Sequence, residues 1–365
     1  MFWVMSNPQI VIYTSDHGFG HAVRAAFLAE ALICRGSYCH IVCDRPAWLF
    51  HRLPAASYTL YPRQVDPGLV QKDWLTIDVA ATLTRHQKRT PDNRVLIERE
   101  VAFLRHIGAN LVIAETAPIA LEIAHCAGIP GILIANFDWH WLYRTLARDE
   151  TGLQDLADQA QTYYQRATQV LRLPFHIGIE ETISTFTDIP LVVGQTQRSA
   201  EEICRDLDLP PDTQALMWNF GGHPGHAPDF DALLRALPEW HLLSYAEHTT
   251  ANPRYHQIPL AFNSSELFSI LDALIGKLGY CSCAEAFANQ IPLLYFARDG
   301  YPEDRALANH CQRDMNAARL TPQHLQDGSW RDIFRAIISQ PPKPKPRSNG
   351  AQYAADLLIR QYSTD

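Results

Sequence analysis

Short apolar runs alternate with segments of helical periodicity along most of the chain. Residues 10–13, 111–114 and 132–135 are β-rich apolar runs of the kind that a parallel sheet buries on both faces. After the first run, apolar residues recur at helical spacing over residues 23–32, and Gly36 stands where a helix would end. Strands that alternate with helices predict an α/β fold whose ligands bind at the carboxyl ends of parallel strands.

The second half of the chain shows a similar pattern. Further apolar strands are predicted at residues 215–220, 273–276 and 291–296, and residues 174–196 between the halves have no clear period. We therefore expect two Rossmann-like α/β domains. Their expected bounds are residues 1–180 and 181–340, followed by a proline-rich linker and a last helix over residues 341–365.

Length, charge and apolar content limit the class of protein. The 365 residues are enough for two ordinary domains. The 31 Lys and Arg against 39 Asp and Glu give a net charge of −8, which argues against a nucleic-acid partner. The first residues lack a signal-peptide pattern, and no apolar run approaches the roughly 20 residues that span a bilayer. We expect a cytoplasmic protein without a transmembrane segment, and leave peripheral membrane contact and oligomeric state open.

The eight cysteines are scattered, several of them within apolar stretches, as is usual for reduced thiols in a cytosol. Three cysteines near His40 and the pair Cys281 and Cys283 could suggest zinc, but neither group has CxxC spacing. We therefore expect buried thiols and no metal site.

The loop between the first strand and its helix carries the first candidate chemistry. Gly18 and Gly20 allow the backbone to approach a ligand closely, and the helix that follows offers N–H groups to an anion. His21 stands at the helix start, where an imidazole can take a proton from a substrate hydroxyl at neutral pH. Asp16 and His17 share the loop, and either could be the base or could orient the backbone.

The second half has two comparable loops. One follows the strand at residues 215–220, and the other contains Lys277 and Ser282. A hydroxyl, backbone N–H groups and a lysine ammonium would together hold a diphosphate well. Each loop alone is a weak signal, because glycine turns follow strands throughout α/β proteins. The carboxylates that follow in the sequence make the signal stronger.

The sequence of the second half resembles a known family. Residues 277–285 (KLGYCSCAE) and 291–298 (IPLLYFAR), the pair Glu303-Asp304 and Asn309 resemble the donor-binding region of the GT-B glycosyltransferases. Residues 18–21 (GFGH) resemble the first loop of that family, whose histidine is the acceptor base in the natural-product and plant branches. From residue 10 to about residue 309, the chain resembles the glycosyltransferase-like domain found ahead of L-arabinokinase.

This resemblance implies the GT-B fold, in which two Rossmann-like domains face each other across a cleft, with the acceptor on the N-terminal domain and the sugar nucleotide on the C-terminal domain. His21 would take the proton of the acceptor hydroxyl and Glu115 would orient the imidazole, with Asp16 as a further catalytic candidate. Relatives usually carry aspartate at the position of Glu115. The remaining acceptor-side candidates lie in the same loop and after the strand at 132–135: His17, Gly18, Gly20, Asp138 and Trp139. The aromatic cluster at residues 139–143 could stack on a sugar or an apolar acceptor, or only pack a helix.

The resemblance also implies the donor site. Gly221, Gly222 and Ser282 would meet the diphosphate, and Lys277 stands where many relatives have histidine. Glu285 would hold the ribose, and Glu303 and Asp304 the hydroxyls of the sugar, although relatives usually have glutamine at the second of these two positions. The full set of donor-side candidates is Gly221, Gly222, His223, Lys277, Gly279, Ser282, Glu285, Glu303 and Asp304.

The function that these residues predict is an inverting, metal-independent transfer of a sugar. A UDP- or dTDP-linked sugar would be the donor, the hydroxyl of an unknown acceptor would be glycosylated, and no cofactor would be needed. Two other functions are compatible with the sequence. One is a non-hydrolysing sugar-nucleotide epimerase, and the other is a non-catalytic protein that binds sugar nucleotides.

Overall fold

The computed structural model describes residues 7–73, 76–89, 93–147, 151–220, 228–260, 262, 264–298 and 300–362. Strands and helices alternate along these residues, as the apolar runs predict. The strands are β1 (Gln9–Thr14), β2 (Tyr38–Val42), β3 (Tyr58–Tyr61), β4 (Leu111–Glu115), β5 (Gly131–Ala135), β6 (Gln169–Arg172), β7 (Thr187–Asp188), β8 (Gln214–Asn219), β9 (Trp240–Ser244), β10 (Tyr255–Gln257), β11 (Ala273–Lys277), β12 (Leu293–Phe296) and β13 (Ala317–Leu320). The helices are α1 (Gly20–Ile33), α2 (Val79–Arg89), α3 (Asn93–His106), α4 (Pro118–Ala127), α5 (Trp139–Ala147), α6 (Thr151–Tyr164), α7 (Ile179–Thr182), α8 (Ala200–Asp206), α9 (Phe230–Ala236), α10 (Ser264–Leu267), α11 (Tyr280–Ala288), α12 (Pro302–Asp314), α13 (Pro322–Asp327), α14 (Trp330–Ile338) and α15 (Gly350–Tyr362).

The first sheet has the strand order β3-β2-β1-β4-β5-β6-β7, with all neighbouring strands parallel. This is the Rossmann order, in which the strand sequence reverses direction between β1 and β4. The central strands β4 and β5 are buried along their whole length, which explains why their sequences are continuous apolar runs. Their carboxyl ends lie at one edge of the sheet, so the polar residues that end them, Glu115 and Asn136, come together there.

The second sheet has the order β10-β9-β8-β11-β12-β13, again with parallel neighbours. The direction of the strand sequence reverses between β8 and β11. Here Gly276 lies so close to β8 that an added Cβ would sit 2.2 Å from the carbonyl oxygen of Asn219. A side chain does not fit this gap, so glycine brings the two central strands together. One face of the sheet packs on a core that includes Trp218, Phe230 and Phe334.

The described residues form two compact units. The first comprises those within Met1–Val70, Ile77–Val192 and Ser348–Asp365, and the second those within Gln71–Thr76 and Val193–Arg347. The first unit extends to Val192, because the short strand β7 still belongs to the first sheet. Helix α15 packs against α1 of the first unit, and Arg35 beside α1 donates to Asp356 Oδ1 at 2.6 Å.

Candidate active site

The first unit holds an imidazole–carboxylate pair at the edge where its strands end. Helix α1 begins at Gly20 and places His21 in its first turn, while Glu115 is the last residue of β4. His21 Nδ1 lies 2.6 Å from Glu115 Oε2, and both side chains are buried. A carboxylate only accepts hydrogen bonds, so Nδ1 carries a proton, and in the neutral imidazole Nε2 then carries the lone pair. This tautomer leaves His21 Nε2 as the basic nitrogen.

Arg24 completes this cluster from the same face of α1, one turn after His21. Its guanidinium forms an ion pair with Glu115 Oε1, and its Nη1 donates to Asn136 Oδ1 at 3.1 Å. Arg24 and Glu115 are 3% and 1% exposed, so the pair is shielded from water. Burial alone would raise the pKa of Glu115, but the charge of Arg24 and the hydrogen bonds that Glu115 accepts from His21 and Arg24 outweigh it and hold that pKa below its usual value. Glu115 is therefore an anion at neutral pH.

His17 is a second imidazole of this cluster. Its Nδ1 lies 3.1 Å from the carbonyl oxygen of Leu69, which can only accept, so this nitrogen also carries the proton. The ring centroid of His17 is 6.5 Å from that of His21. Gly68 makes the approach of the covering loop possible: it has φ 58°, and an added Cβ would sit 2.7 Å from His17 Cβ. In the loop before α1, Gly18 has φ 70°, the left-handed conformation that glycine favours.

Trp139 and Asp138 lie beneath this cluster rather than on an open surface. Trp139 is fully buried, edge-on to His17 at 5.5 Å between ring centroids and stacked on Tyr143 at 5.4 Å. Asp138 is also buried, and its Oδ1 accepts from the backbone N–H of Trp141 at 2.7 Å at the start of α5. Burial raises the pKa of Asp138 to about 6. The aromatic residues Trp139, Trp141 and Tyr143 of α5 are buried in this structure, and Tyr143 also lines a cavity with Val65, His86 and Tyr163.

Asp16 points toward another strand. Its Oδ1 accepts from the backbone N–H of Asp44 at 3.0 Å and lies 3.7 Å from Arg45 Nε, both just beyond β2. Burial raises the pKa of Asp16 to about 7, against the opposing effects of the Asp44 hydrogen bond and the Arg45 charge. The contacts of this carboxylate thus join the first loop to the end of β2.

In the second unit, the end of β11 leads directly into the N-terminus of α11. Gly279 is the N-cap residue, and Ser282 lies in the first helical turn, whose backbone N–H groups can meet an anion. Lys277, the last residue of β11, is partly buried beside Arg298. Burial and the charge of Arg298 lower the pKa of Lys277 to about 7, against the opposing charges of Asp304 and Glu303.

Two carboxylates that the resemblance assigns to the donor have partners within the protein. Both oxygens of Asp304 contact Arg298: Nη2 donates to Oδ1 at 2.5 Å, and the backbone N–H donates to Oδ2 at 2.5 Å. Glu303 Oε2 lies 3.5 Å from Arg298 Nη2. The Arg298 guanidinium also lies over the ring of Tyr301, 3.4 Å from its centroid. Asp304 therefore anchors the start of α12, and Glu303 lies at ion-pair distance from the same guanidinium.

Glu285 has a contact near the start of the second unit. This buried side chain in α11 accepts a hydrogen bond from the backbone N–H of Gly194 at 3.0 Å through Oε1. It fixes the chain just after the division between the units to the helix that carries Ser282. Gly221, Gly222 and His223, the other expected diphosphate residues, lie outside the described residues.

Sequence reasoning missed Arg24 and gave Arg298 no role. A signal for Arg24 was present, because α1 is otherwise rich in Ala and Leu and largely buried, so an arginine three residues after His21 needs an anionic partner. The partner, Glu115, is distant in sequence and only the sheet brings it close.

Among the described residues, no group of three or more His, Cys, Asp or Glu side chains is placed to hold a metal ion.

Comparison with known proteins supports the expected fold. No family model matches the chain. The L-arabinokinase of Arabidopsis thaliana is 26% identical to it over 353 residues, which cover 95% of this chain and 34% of that protein. The chain thus spans about a third of the length of the curated relative that it matches. This similarity agrees with the resemblance expected from the sequence.

Solved structures of glycosyltransferases match almost the whole chain. The glycotransferase of kitacinnamycin has a TM-score of 0.62 at 15% identity, covering 98% of this chain and 99% of that one. The calicheamicin glycosyltransferase CalG4 also has 0.62, at 16% identity and coverages of 98% and 95%. Arabidopsis thaliana UGT89C1, complexed with UDP, has 0.60 at 12% identity and coverages of 98% and 100%. The chain has the GT-B fold of these glycosyltransferases, and the predicted fold class is confirmed.

One further finding concerns membranes. No helix in the part of the chain that the structure describes is long and apolar enough to cross a bilayer.

Proposed function

We propose that this protein transfers a sugar from a UDP- or dTDP-linked donor to a hydroxyl group, with inversion at the anomeric carbon. The observation that carries this proposal is the buried pair of His21 and Glu115 at the carboxyl edge of the first sheet. The pair fixes the tautomer of neutral His21, with the proton on Nδ1 and the lone pair on Nε2, which is the form that a general base needs. Solved glycosyltransferases with the same fold support the reaction class.

The proposed reaction is a single displacement. His21 Nε2 takes the proton of the acceptor hydroxyl while the oxygen attacks the anomeric carbon from the face opposite the diphosphate. The new carbon–oxygen bond forms as the bond to the diphosphate oxygen breaks, and that oxygen leaves with the electron pair. Glu115 stabilises the imidazolium that forms. General-base catalysis of this kind contributes on the order of 10²–10⁴-fold to the rate.

The second unit would hold the donor. The first-turn N–H groups of α11 and the Ser282 hydroxyl would accept the diphosphate, and Lys277 would balance its growing charge. These groups supply positive potential without a metal ion, so the proposed step needs none. The ribose would meet Glu285, and Glu303 would contact the sugar. One neighbour, UGT89C1, has been solved with UDP and with quercetin, which supports a nucleotide donor and a small hydroxylated acceptor.

Free thiols are consistent with the cytoplasm as the proposed site of action. All eight cysteines are described and none of them forms a disulfide. A reducing compartment keeps such thiols in this state.

A thermal-shift panel with UDP, dTDP, GDP, ADP and CDP and their sugar conjugates tests the donor site. A ligand at 100 times its Kd stabilises the folded state by about 2.7 kcal/mol, so a selective rise for one nucleotide is expected. The selected nucleotide sugar is then incubated with hydroxylated acceptors. His21→Ala should keep the thermal shift and lose about 10²–10⁴-fold in transfer rate, whereas the exposed control His125→Ala should lose neither.

The same assays separate the two other functions. Conversion of the donor without an acceptor would identify an epimerase, and a thermal shift without any turnover would identify a binding protein. Full transfer activity in His21→Ala would refute the proposed mechanism.

A further inference from the structure

Arg24 is a buried charge in direct contact with the carboxylate of the proposed base pair. His21 occupies Glu115 Oε2, and Arg24 occupies Oε1 through both Nε and Nη2. Arg24 Nη2 also lies 3.4 Å from His21 Nδ1. Since Nδ1 donates to Glu115, this last approach is a contact between a positive group and the ring rather than a hydrogen bond. The imidazole therefore faces an anion and a cation at similar range.

The guanidinium changes how the Glu115 carboxylate affects the protonation of His21. A lone buried carboxylate would favour the protonated imidazolium, and His21 would then hold a proton before an acceptor arrives. The guanidinium balances that charge and repels a second positive charge on the ring. Among the described residues, the titratable or charged groups beside His21 are Glu115 from β4, Arg24 from α1 and His17 from the preceding loop. Phe137 and Trp139 present uncharged rings to it.

The guanidinium also fixes the direction of the carboxylate. Glu115 has one more rotatable bond than aspartate, and a glutamate held only by His21 could turn away. Arg24 is itself held at the other end, where Nη1 donates to Asn136 Oδ1 at 3.1 Å. A continuous chain of buried hydrogen bonds therefore runs across α1, β4 and the end of β5, from Asn136 through Arg24 and Glu115 to His21.

We propose that Arg24 is a positioning residue that disfavours the imidazolium form of His21 and keeps the ring aligned, by neutralising and orienting Glu115. This inference rests on the proposed function, because it concerns the base of that reaction. The histidine–carboxylate pair alone does not lead to this inference, because without a cation the negative charge beside the ring would favour the imidazolium.

The first test uses the full-length protein without substrate. The ring signals of His21 are followed by NMR as the pH is varied, in the wild type and in Arg24→Met. Loss of the guanidinium should move the titration midpoint of His21 upward by at least about one pH unit, which is the effect of a nearby unit charge in a buried site. Arg24→Lys, which keeps the charge, and the exposed control Arg105→Met should leave the midpoint close to that of the wild type.

A second comparison guards against misfolding. If Arg24→Met does not fold, the double variant Arg24→Met/Glu115→Gln, which removes both charges, is compared with Glu115→Gln. The titration midpoint of His21 should again be higher in the double variant, which lacks the guanidinium, than in Glu115→Gln. An unchanged midpoint in folded variants that lack Arg24 would overturn the proposal.

The second test follows the pH dependence of sugar transfer, using the donor selected by the thermal-shift panel. In Arg24→Met the acidic limb of the rate profile should move to higher pH, and the rate should largely recover at alkaline pH. An equal loss at every pH would show a purely structural role and overturn the proposal. A shifted NMR midpoint in a protein that transfers no sugar would support the role of Arg24 toward His21 and refute the proposed function.

Discussion

Lys277 allows a prediction about donor affinity. It ends β11 beside the N-terminus of α11, where the diphosphate of the donor is proposed to bind. Burial, together with the charge of Arg298, lowers the pKa of Lys277 to about 7, although Asp304 and Glu303 act in the opposite direction. The ammonium that would balance the diphosphate is therefore only about half populated at neutral pH.

The size and sign of the effect follow from this pKa. With a pKa of about 7, roughly nine-tenths of the lysine is charged at pH 6 and roughly one-tenth at pH 8. The diphosphate binds the charged form better, so binding takes up a proton and becomes weaker as the pH rises through 7. If only the charged form binds well, the affinity for the donor falls about tenfold between pH 6 and pH 8.

Isothermal titration calorimetry at pH 6, 7 and 8 measures this dependence. The ligand is an intact nucleotide sugar, because the terminal phosphate of a free nucleoside diphosphate titrates near pH 6 and would add its own pH dependence. Lys277→Arg should bind with an affinity that hardly changes with pH, and Lys277→Met should bind more weakly at every pH. A wild-type affinity independent of pH, or the same tenfold fall in Lys277→Met, would refute the reasoning.

Two predictions concern stability. Gly276→Ala would place Cβ 2.2 Å from the Asn219 carbonyl oxygen, so urea unfolding should show a loss of about 1–3 kcal/mol or more; an unchanged midpoint would contradict the close strand approach. His256 donates from Nδ1 to the Leu207 carbonyl oxygen and accepts from His241, and burial lowers its pKa. The neutral His256 side chain therefore stabilises the fold above the unfolded pKa of about 6.5, and this stabilisation is lost as the pH falls through the folded pKa. The free energy of unfolding of His256→Gln should consequently fall less between pH 7 and pH 5 than that of the wild type.

The sequence predicted the strands better than the helices and connections. Runs such as residues 111–114 and 132–135 are apolar throughout and match β4 and β5, because both faces of a central parallel strand are buried. From the sequence alone, residues 153–171 look like one helix rich in Gln and Ala, but α6 ends at Tyr164 and β6 begins at Gln169. Local apolar spacing did not separate a helix end from the strand that follows it closely.

The candidate site was predicted in part. The resemblance placed His21 and Glu115 in one catalytic pair, and the structure brings them to 2.6 Å. The same resemblance assigns Asp304 to the sugar, and the structure adds a pairing of Asp304 with Arg298 that the motif did not indicate. A motif assigns a residue by its position in the chain, but the partner of a buried charge is chosen by the side chains that packing brings next to it.

By itself, the sequence determined the alternation of strands and helices, the glycine turns at strand ends and the presence of an imidazole at the first helix start. These features depend on burial pattern and backbone conformation, which act over a few residues. Only the tertiary structure decided that Arg24 shares Glu115 with His21, that Trp139 is buried beneath the two imidazoles, and that Glu285 contacts Gly194. Such pairings join residues far apart in the sequence, and they form only when the sheet brings the ends of its strands together.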